Sequence, residues 1–428
     1  MSVLVQNYLF DPLLACGIFA LSLAVAGLLS FLCGRLGGVF AEAVQPSGNK
    51  LASLEGLRGI LALSVAAHHA YCWFFYTQTA HWGTQNSVLF SRFASFGVDQ
   101  FFFISGFLFW RKLMKIGGIE LGRFYLSRFV RLAPVYYTCV GIAMFIGMYL
   151  MGFKLLVPGS HLVRSLIPWI FFSIGGQPDV NHADIKRIIS GVVWTLAAEW
   201  LFYLSLPYLG WFARKAQRLI HFACLFLLIY IVGRYFSLKI HQETVASTLT
   251  ILSQFAKYMV FSFGGGILIA VFQEKIREKV HFSISQANWL LVLFYTFYLL
   301  MPDFHGMAVA GPLCLLCGFA LVIQGANLFG FITSKSVRFL GIISYDLYLV
   351  HGITYYLAMK LRGGIRPVTT TNYMIETAVC FVVIVIASTV LHFLVERPSM
   401  KRSEDIARGI PGKKNSGIPE VLPEAIPQ

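Results

Sequence analysis

The feature that most constrains this chain is a succession of long apolar segments along nearly its whole length. Of 428 residues, 57% are hydrophobic and only 12% are charged, and the mean hydropathy is +0.71. A soluble fold could not bury that much apolar surface, so we predict an all-α, polytopic transmembrane bundle. Hydropathy places about eleven spans near 12–33, 57–77, 93–113, 132–153, 190–211, 218–236, 251–272, 287–301, 307–327, 338–360 and 374–395.

The spans suggest a simple organisation of the chain. Residues 1–50 form one extra N-terminal transmembrane helix and a linker, since the first span lacks the basic start of a signal peptide and is too long for one. Residues 51–402 form the main transmembrane domain. The tail of residues 403–428 is rich in proline, glycine and charge, which predicts disorder.

Lysine and arginine predict the orientation of the bundle. Of the 34 basic residues, 23 fall on one side of the predicted spans and 10 on the other, with Lys257 inside a span. The basic side is expected to be cytoplasmic. The C-terminus is then cytoplasmic, and an odd number of spans places the N-terminus outside the cytoplasm.

Arg58 and His69 stand at the two ends of an apolar run within the second span. Eleven positions correspond to about three helical turns, so both side chains share one helix face, roughly 16 Å apart along the axis. Ionisable groups in a membrane helix are costly unless they face a polar cavity. This geometry suits an anionic ligand at the rim and proton chemistry deeper in the membrane. His68 points about 80° away from that face and is secondary.

Other polar residues each allow two interpretations. Asp99 is either a favourable carboxylate at a helix N-terminus or part of a cavity. Glu199 lies inside a span without a local basic partner, which favours a functional cavity with Arg58 or His69 over a structural ion pair. Arg128 and Arg131 are either cytoplasmic anchors or a phosphate clamp.

Two further features carry less information. His351 is either a hydrogen-bonded core histidine or a functional group. The CxxC spacing of Cys314 and Cys317 has no second pair and no nearby histidine, which argues against metal or redox chemistry. We predict no metal site.

Five motifs follow one another along the chain. They are Arg58-x10-His69, Gly97-Val98-Asp99 with Ser105-Gly106-Phe107, Arg128-x-x-Arg131-x-x-Pro134, Trp194-Thr195-Leu196-x-x-Glu199-x-x-Phe202-Tyr203, and Ser344-Tyr345-x-Leu347-Tyr348-Leu349-x-His351. In this order they resemble the acyltransferase 3 family of integral membrane acyltransferases, over roughly Leu51 to Lys401. Three positions depart from the family's common residues: His68 for tyrosine, Asp346 for serine, and Ile353 where proline is frequent.

The resemblance implies a ten-helix domain, plus the extra helix here, that moves an acyl group from cytoplasmic acyl-CoA, usually acetyl-CoA, to a saccharide hydroxyl. The acceptor is a surface glycan, a lipid-linked saccharide or a similar molecule. The expected partners are this donor, a carbohydrate or glycolipid acceptor and membrane lipids, without nucleic acid, in a bacterial inner or plasma membrane.

On this hypothesis each singled-out residue receives a role. His69 is the general base or a transient acyl carrier, with Glu199 or Asp99 orienting it. Arg58, Arg128 and Arg131 hold the CoA phosphates. Substrate-binding or structural roles fall to His68, Ser105, Trp194, Tyr348 and His351.

A rival hypothesis is a proton-coupled transporter or flippase, since buried acids, histidines and arginines also build proton pathways. Transporters usually show repeated halves or paired broken helices, and the sequence shows neither. Solute flux in vesicles without acyl-CoA would favour the rival. A membrane scaffold or sensor would leave the intramembrane charges unexplained.

Overall fold

The predicted all-α class is confirmed. Every regular secondary-structure element in the described part of the chain is a helix. The structure, a computed structural model, describes residues 3–38, 52–84, 87–115, 120–213, 256–279, 282–301 and 307–408.

Fourteen α-helices and two π-helices are described within those ranges. The π-helices are Tyr258–Phe263 and His392–Glu396. The α-helices are α1 (Val3–Leu36), α2 (Ala52–Thr79), α3 (Val88–Lys115), α4 (Leu121–Leu150), α5 (Gly159–Ile170), α6 (Ile185–Ile188), α7 (Trp194–Ala213), α8 (Gly264–Lys279), α9 (Ile284–Leu300), α10 (Met307–Ile323), α11 (Lys335–Ile342), α12 (Ser344–Leu361), α13 (Thr370–Leu391) and α14 (Arg397–Arg408).

Four described helical segments are long and apolar enough to cross a membrane. The predicted span 218–236 lies outside the described residues, so the count of eleven stays a prediction, as does the orientation. The four segments are Asp11–Leu36, Val88–Met114, Leu121–Leu150 and Thr370–Ile406; shorter apolar helices cover Tyr258–Gln273, Ile284–Leu300 and Ala310–Ile323.

Helix α2 lies at the centre of the bundle although it is not among the four most apolar segments. It packs against α3, α11 and α12, and its residues contribute to both hydrophobic cores. Because neighbouring helices cover it, α2 tolerates charged residues that lipid would not. At one end its Glu55 accepts hydrogen bonds from Arg338 of α11, with Nη2 2.6 Å from Oε2.

Glycines let α2 and α11 touch through their backbones. A Cβ added to Gly341 would lie 1.9 Å from the carbonyl oxygen of Glu55, and one added to Gly59 would lie 2.6 Å from the amide nitrogen of Gly341. Neither distance is sterically possible, so both positions require glycine for the close approach that fixes α2 in the bundle.

Gly341→Ala is therefore expected to lower the free energy of unfolding by about 1–3 kcal/mol, because α11 must move away from α2. Gly141→Ala on α4 is the matched control, since a Cβ there meets nothing within 4 Å. Thermal melts of both variants in detergent test this. Equal melting temperatures for the two would show that the close approach does not matter.

Candidate active site

A cavity of about 140 Å³ lies between α2, α3, α4, α7 and α12. Its wall combines aromatic and aliphatic side chains with charged groups from five different segments. The cavity is lined by Arg58, Val98, Phe101, Phe102, Ile104, Ser105, Leu108, Phe109, Lys112, Arg128, Arg131, Leu132, Thr195, Leu196, Glu199, Tyr203, Ser344, Tyr345, Tyr348 and Glu396.

The charged lining of the cavity is predominantly positive. It has four cations against two carboxylates, which leaves two positive charges. The buried Nε of Arg128 has no hydrogen-bond partner among the described residues, and Arg58 and Arg131 line the same cavity. Guanidinium groups suit bidentate phosphate contacts, so the cavity can hold a phosphorylated ligand. The fourth cation, Lys112, was not predicted as a site residue, because nothing in its sequence context distinguishes it from the other basic residues expected on the cytoplasmic side.

Glu199 is held in this cavity by two hydroxyl groups. Ser105 of α3 donates a hydrogen bond to Oε1 of Glu199 at 3.3 Å, and the hydroxyl of Tyr203, one turn further along α7, donates to the same atom. The adjacent Gly106 lets α3 approach the π-helix Tyr258–Phe263 closely, because a Cβ there would lie 2.2 Å from the carbonyl oxygen of Phe263.

His69 is paired with His351 rather than with a carboxylate. Nδ1 of His69 lies 3.1 Å from Nε2 of His351 and 3.0 Å from the carbonyl oxygen of Val65. Nδ1 of His351 lies 3.1 Å from the carbonyl oxygen of Leu347. The role of orienting the His69 ring, which the sequence analysis gave to Glu199 or Asp99, falls here to a second imidazole.

These contacts assign the protons of the neutral pair. A carbonyl oxygen only accepts, so both Nδ1 atoms carry hydrogen. The one Nδ1–H of His69 is then shared between the Val65 carbonyl oxygen and Nε2 of His351, and Nε2 of His69 keeps a free lone pair. The imidazole pair, defined as His69 and His351, therefore presents one basic nitrogen to a ligand.

Tyr348 stands between the cavity and the imidazole pair. It lines the cavity, its ring centroid is 6.1 Å from that of His351, and its hydroxyl oxygen is 2.9 Å from Oγ1 of Thr195. His69 itself is not among the lining residues of the cavity. Along α2, Arg58 therefore lies at the cavity and His69 lies beyond it, with the Tyr348 ring between the cavity and the imidazole pair.

The remaining predicted site residues lie around this centre. Asp99 accepts a hydrogen bond from the Ser262 hydroxyl at 2.7 Å, on the π-helix before α8. Nδ1 of His68 donates to the carbonyl oxygen of Phe90 at 2.8 Å. The Trp194 ring packs 5.1 Å from the ring of Tyr258. Each of these side chains has a packing partner on a neighbouring segment, which positions the helices around the imidazole pair.

Asp346, His392 and Glu396 form a buried cluster at the end of α13. Nδ1 of His392 donates to Oε2 of Glu396 at 2.6 Å and lies 3.5 Å from Oδ2 of Asp346. Their ligand-type atoms all lie within 4.8 Å of one another, so this trio has the composition of a metal site. A shared proton would balance its charge equally well, and the absence of a metal stays a prediction. Glu396 also lines the cavity.

Comparison with known proteins identifies similar sequences. A family model described as an acyltransferase domain, that of the acyltransferase 3 family, matches residues 51–393. The chain is 25% identical over 332 residues to the exopolysaccharide production protein ExoZ of Rhizobium meliloti (strain 1021). That alignment covers 74% of this chain and 93% of the relative. No solved structure matches.

Proposed function

Because the chain belongs to the acyltransferase 3 family and is an acyltransferase, we propose that it transfers an acyl group, in the simplest case acetyl, from acyl-CoA to a saccharide hydroxyl. The observation that carries this proposal is a positively charged cavity that ends one side chain away from a paired imidazole. A relative named for exopolysaccharide production supports a carbohydrate acceptor.

The cavity supports a CoA thioester as the donor. Arg58, Arg128 and Arg131 are the phosphate ligands expected from the sequence, and Lys112 adds a fourth cation. The apolar part of the wall then receives the uncharged pantetheine arm. In this orientation the thioester points toward Tyr348 and Thr195. The Thr195 hydroxyl donates to the carbonyl oxygen of Val192, so the Tyr348 hydroxyl is the group that can turn to donate to the thioester carbonyl oxygen as negative charge develops there.

The imidazole pair supplies the proton chemistry. Nε2 of His69 takes the proton of the acceptor hydroxyl while the hydroxyl oxygen attacks the thioester carbonyl carbon. A C–O bond forms, the C–S bond breaks, and the CoA thiolate takes the proton back from His69. His351 accepts the hydrogen bond of Nδ1, which fixes the ring and favours its protonated form during the transfer.

Acetyl transfer can be measured directly. The purified protein in lipid vesicles, given ¹³C-acetyl-CoA and bacterial exopolysaccharide fragments, is expected to release free CoA thiol and form labelled acetyl ester in equal amounts. Thiol titration and mass spectrometry of the saccharide measure the two products. Movement of saccharide across the vesicle membrane without thiol release would contradict the proposal and favour a transporter.

A further inference from the structure

An aromatic cluster lies on the side of His69 away from Arg58, where α2 ends. The ring centroid of Trp82 is 6.4 Å from that of His69, and 37% of the Trp82 side chain is exposed. The buried ring of Trp73 supports it edge-on at 5.1 Å, and Tyr76 lies 5.9 Å away. An exposed tryptophan fixed beside a basic nitrogen offers a flat apolar surface to a ligand.

A charged pair borders this surface. The guanidinium carbon of Arg187 lies 4.5 Å from the ring centroid of Tyr76 and 5.6 Å from that of Trp82. Its Nε donates to Oδ2 of Asp184 at 2.8 Å. Burial lowers the pKa of Arg187, but the hydrogen bond that Arg187 donates to Asp184 and the nearby Tyr76 raise the pKa above its ordinary value, so the group stays cationic. We call Trp82, Tyr76, Arg187 and Asp184 the platform.

The loop segment between α5 and α7, which includes the short helix α6 with Arg187 and its N-cap Asp184, contains several residues in an unusual backbone conformation. Ser190 has a φ of +53° and accepts a hydrogen bond from Nε1 of Trp73 at 3.0 Å. A Cβ added to Gly352, beside His351, would lie 2.4 Å from the carbonyl carbon of Ile189. Strained residues persist where the surrounding structure fixes them. Other non-glycine residues of this loop with positive φ are Phe172, Ser173, Asn181 and His182.

The platform is thus packed against α2 and α12, the helices that carry His69 and His351. Its exposed indole is apolar, and its ion pair is partly exposed, with 31% of the Arg187 side chain and 43% of the Asp184 side chain accessible. A pyranose ring has the matching chemistry, since one face presents C–H groups and the edge presents hydroxyls that both donate and accept. Because Asp184 already neutralises Arg187, the surface suits an uncharged sugar.

We propose that the platform is the acceptor subsite, and that it takes a neutral pyranose ring stacked on Trp82 with its hydroxyl groups bonded to Arg187 and Asp184. This inference rests on the proposed acyltransferase function. One hydroxyl of that ring reaches Nε2 of His69. The acceptor and the CoA donor then approach the imidazole pair from opposite ends of α2, the donor past Tyr348 and the acceptor past Trp82.

Acceptor kinetics test the platform. The probes are octyl β-pyranosides of glucose, galactose and mannose, with acetyl-CoA as donor. Trp82→Ala is expected to raise the KM for the best pyranoside by about tenfold or more, as for a buried aromatic contact, while the KM for acetyl-CoA stays the same. Trp82→Phe keeps an aromatic face and is expected to recover most of the affinity. Octyl β-glucuronide, which is acidic, is expected to have a KM no lower than that of octyl β-glucoside.

Trp289→Ala is the matched control, because Trp289 on α9 is 64% exposed and packs on Phe329, outside the platform. Equal pyranoside KM values for Trp82→Ala and Trp289→Ala, in a protein that transfers acetyl normally, would overturn the platform and leave the proposed function intact. A wild-type protein that acetylates exopolysaccharide fragments but none of the pyranosides would overturn this inference alone, whereas one that acetylates neither would overturn the proposed function as well.

Discussion

Replacing His69 by alanine is expected to lower the kcat of acyl transfer by about 10²- to 10⁴-fold, the range that a positioned general base supplies. The physical reason is the free lone pair on Nε2 of His69, which the contacts to Val65 and His351 leave available. The KM for acyl-CoA is expected to change little, because His69 is not among the residues that line the donor cavity. Steady-state kinetics with purified protein measure both quantities.

His68→Gln is the matched control for this variant. The neighbouring ring binds the carbonyl oxygen of Phe90, a contact that glutamine can also make through its amide nitrogen. We expect that variant to keep most of the transfer rate. Transfer at the wild-type rate by a folded His69→Ala protein would remove His69 from the chemistry.

The second large effect is expected at Arg58. Arg58→Gln should weaken the use of acetyl-CoA by roughly 10- to 150-fold in KM, which corresponds to about 1.5–3 kcal/mol for a lost hydrogen bond to a charged group. The structural reason is that Arg58 lines the cavity together with Lys112, Arg128 and Arg131, where it can contact an anionic group of the donor. Kinetics with varied acetyl-CoA measure the effect.

A truncated donor isolates the phosphate contact. Acetyl-pantetheine has the thioester but no nucleotide phosphates. With this donor, Arg58→Gln should therefore no longer raise the KM. Arg164→Gln on α5, an exposed arginine outside the cavity, is the control. The same penalty with both donors would mean that Arg58 supports the fold or the thioester end instead of the phosphates.

The sequence predicted the class of fold well, because long apolar segments leave little choice but a helical bundle in a membrane. It was less informative about the number of spans. Helix α2 shows why: its charged and imidazole side chains lower its hydropathy, while the surrounding helices bury them. Hydropathy predicted a span at 57–77, yet α2 is not among the four described segments that are apolar enough to cross a membrane, so this span stays a prediction.

The candidate site was predictable where it depends on one helix. Arg58 and His69 share a face of α2, and the Arg128 and Arg131 pair follows from their spacing on α4. The contact between His69 and His351 joins positions 282 apart, which no local pattern reveals. Tyr348 was among the residues singled out from the sequence, but its position between the cavity and the imidazole pair depends on how α12 packs against α2, which no local pattern reveals.

The imidazole pair itself is tested most directly by a double-mutant cycle on His69 and His351. If His351 acts through the His69 ring, His351→Ala lowers kcat in the protein that keeps His69 and has no further effect in His69→Ala. Thermal melts confirm that each variant is folded. We predict that the double variant transfers acetyl groups as slowly as His69→Ala alone. If the fold losses in kcat of the two single variants multiply in the double variant, the two histidines act independently, which would contradict the paired base.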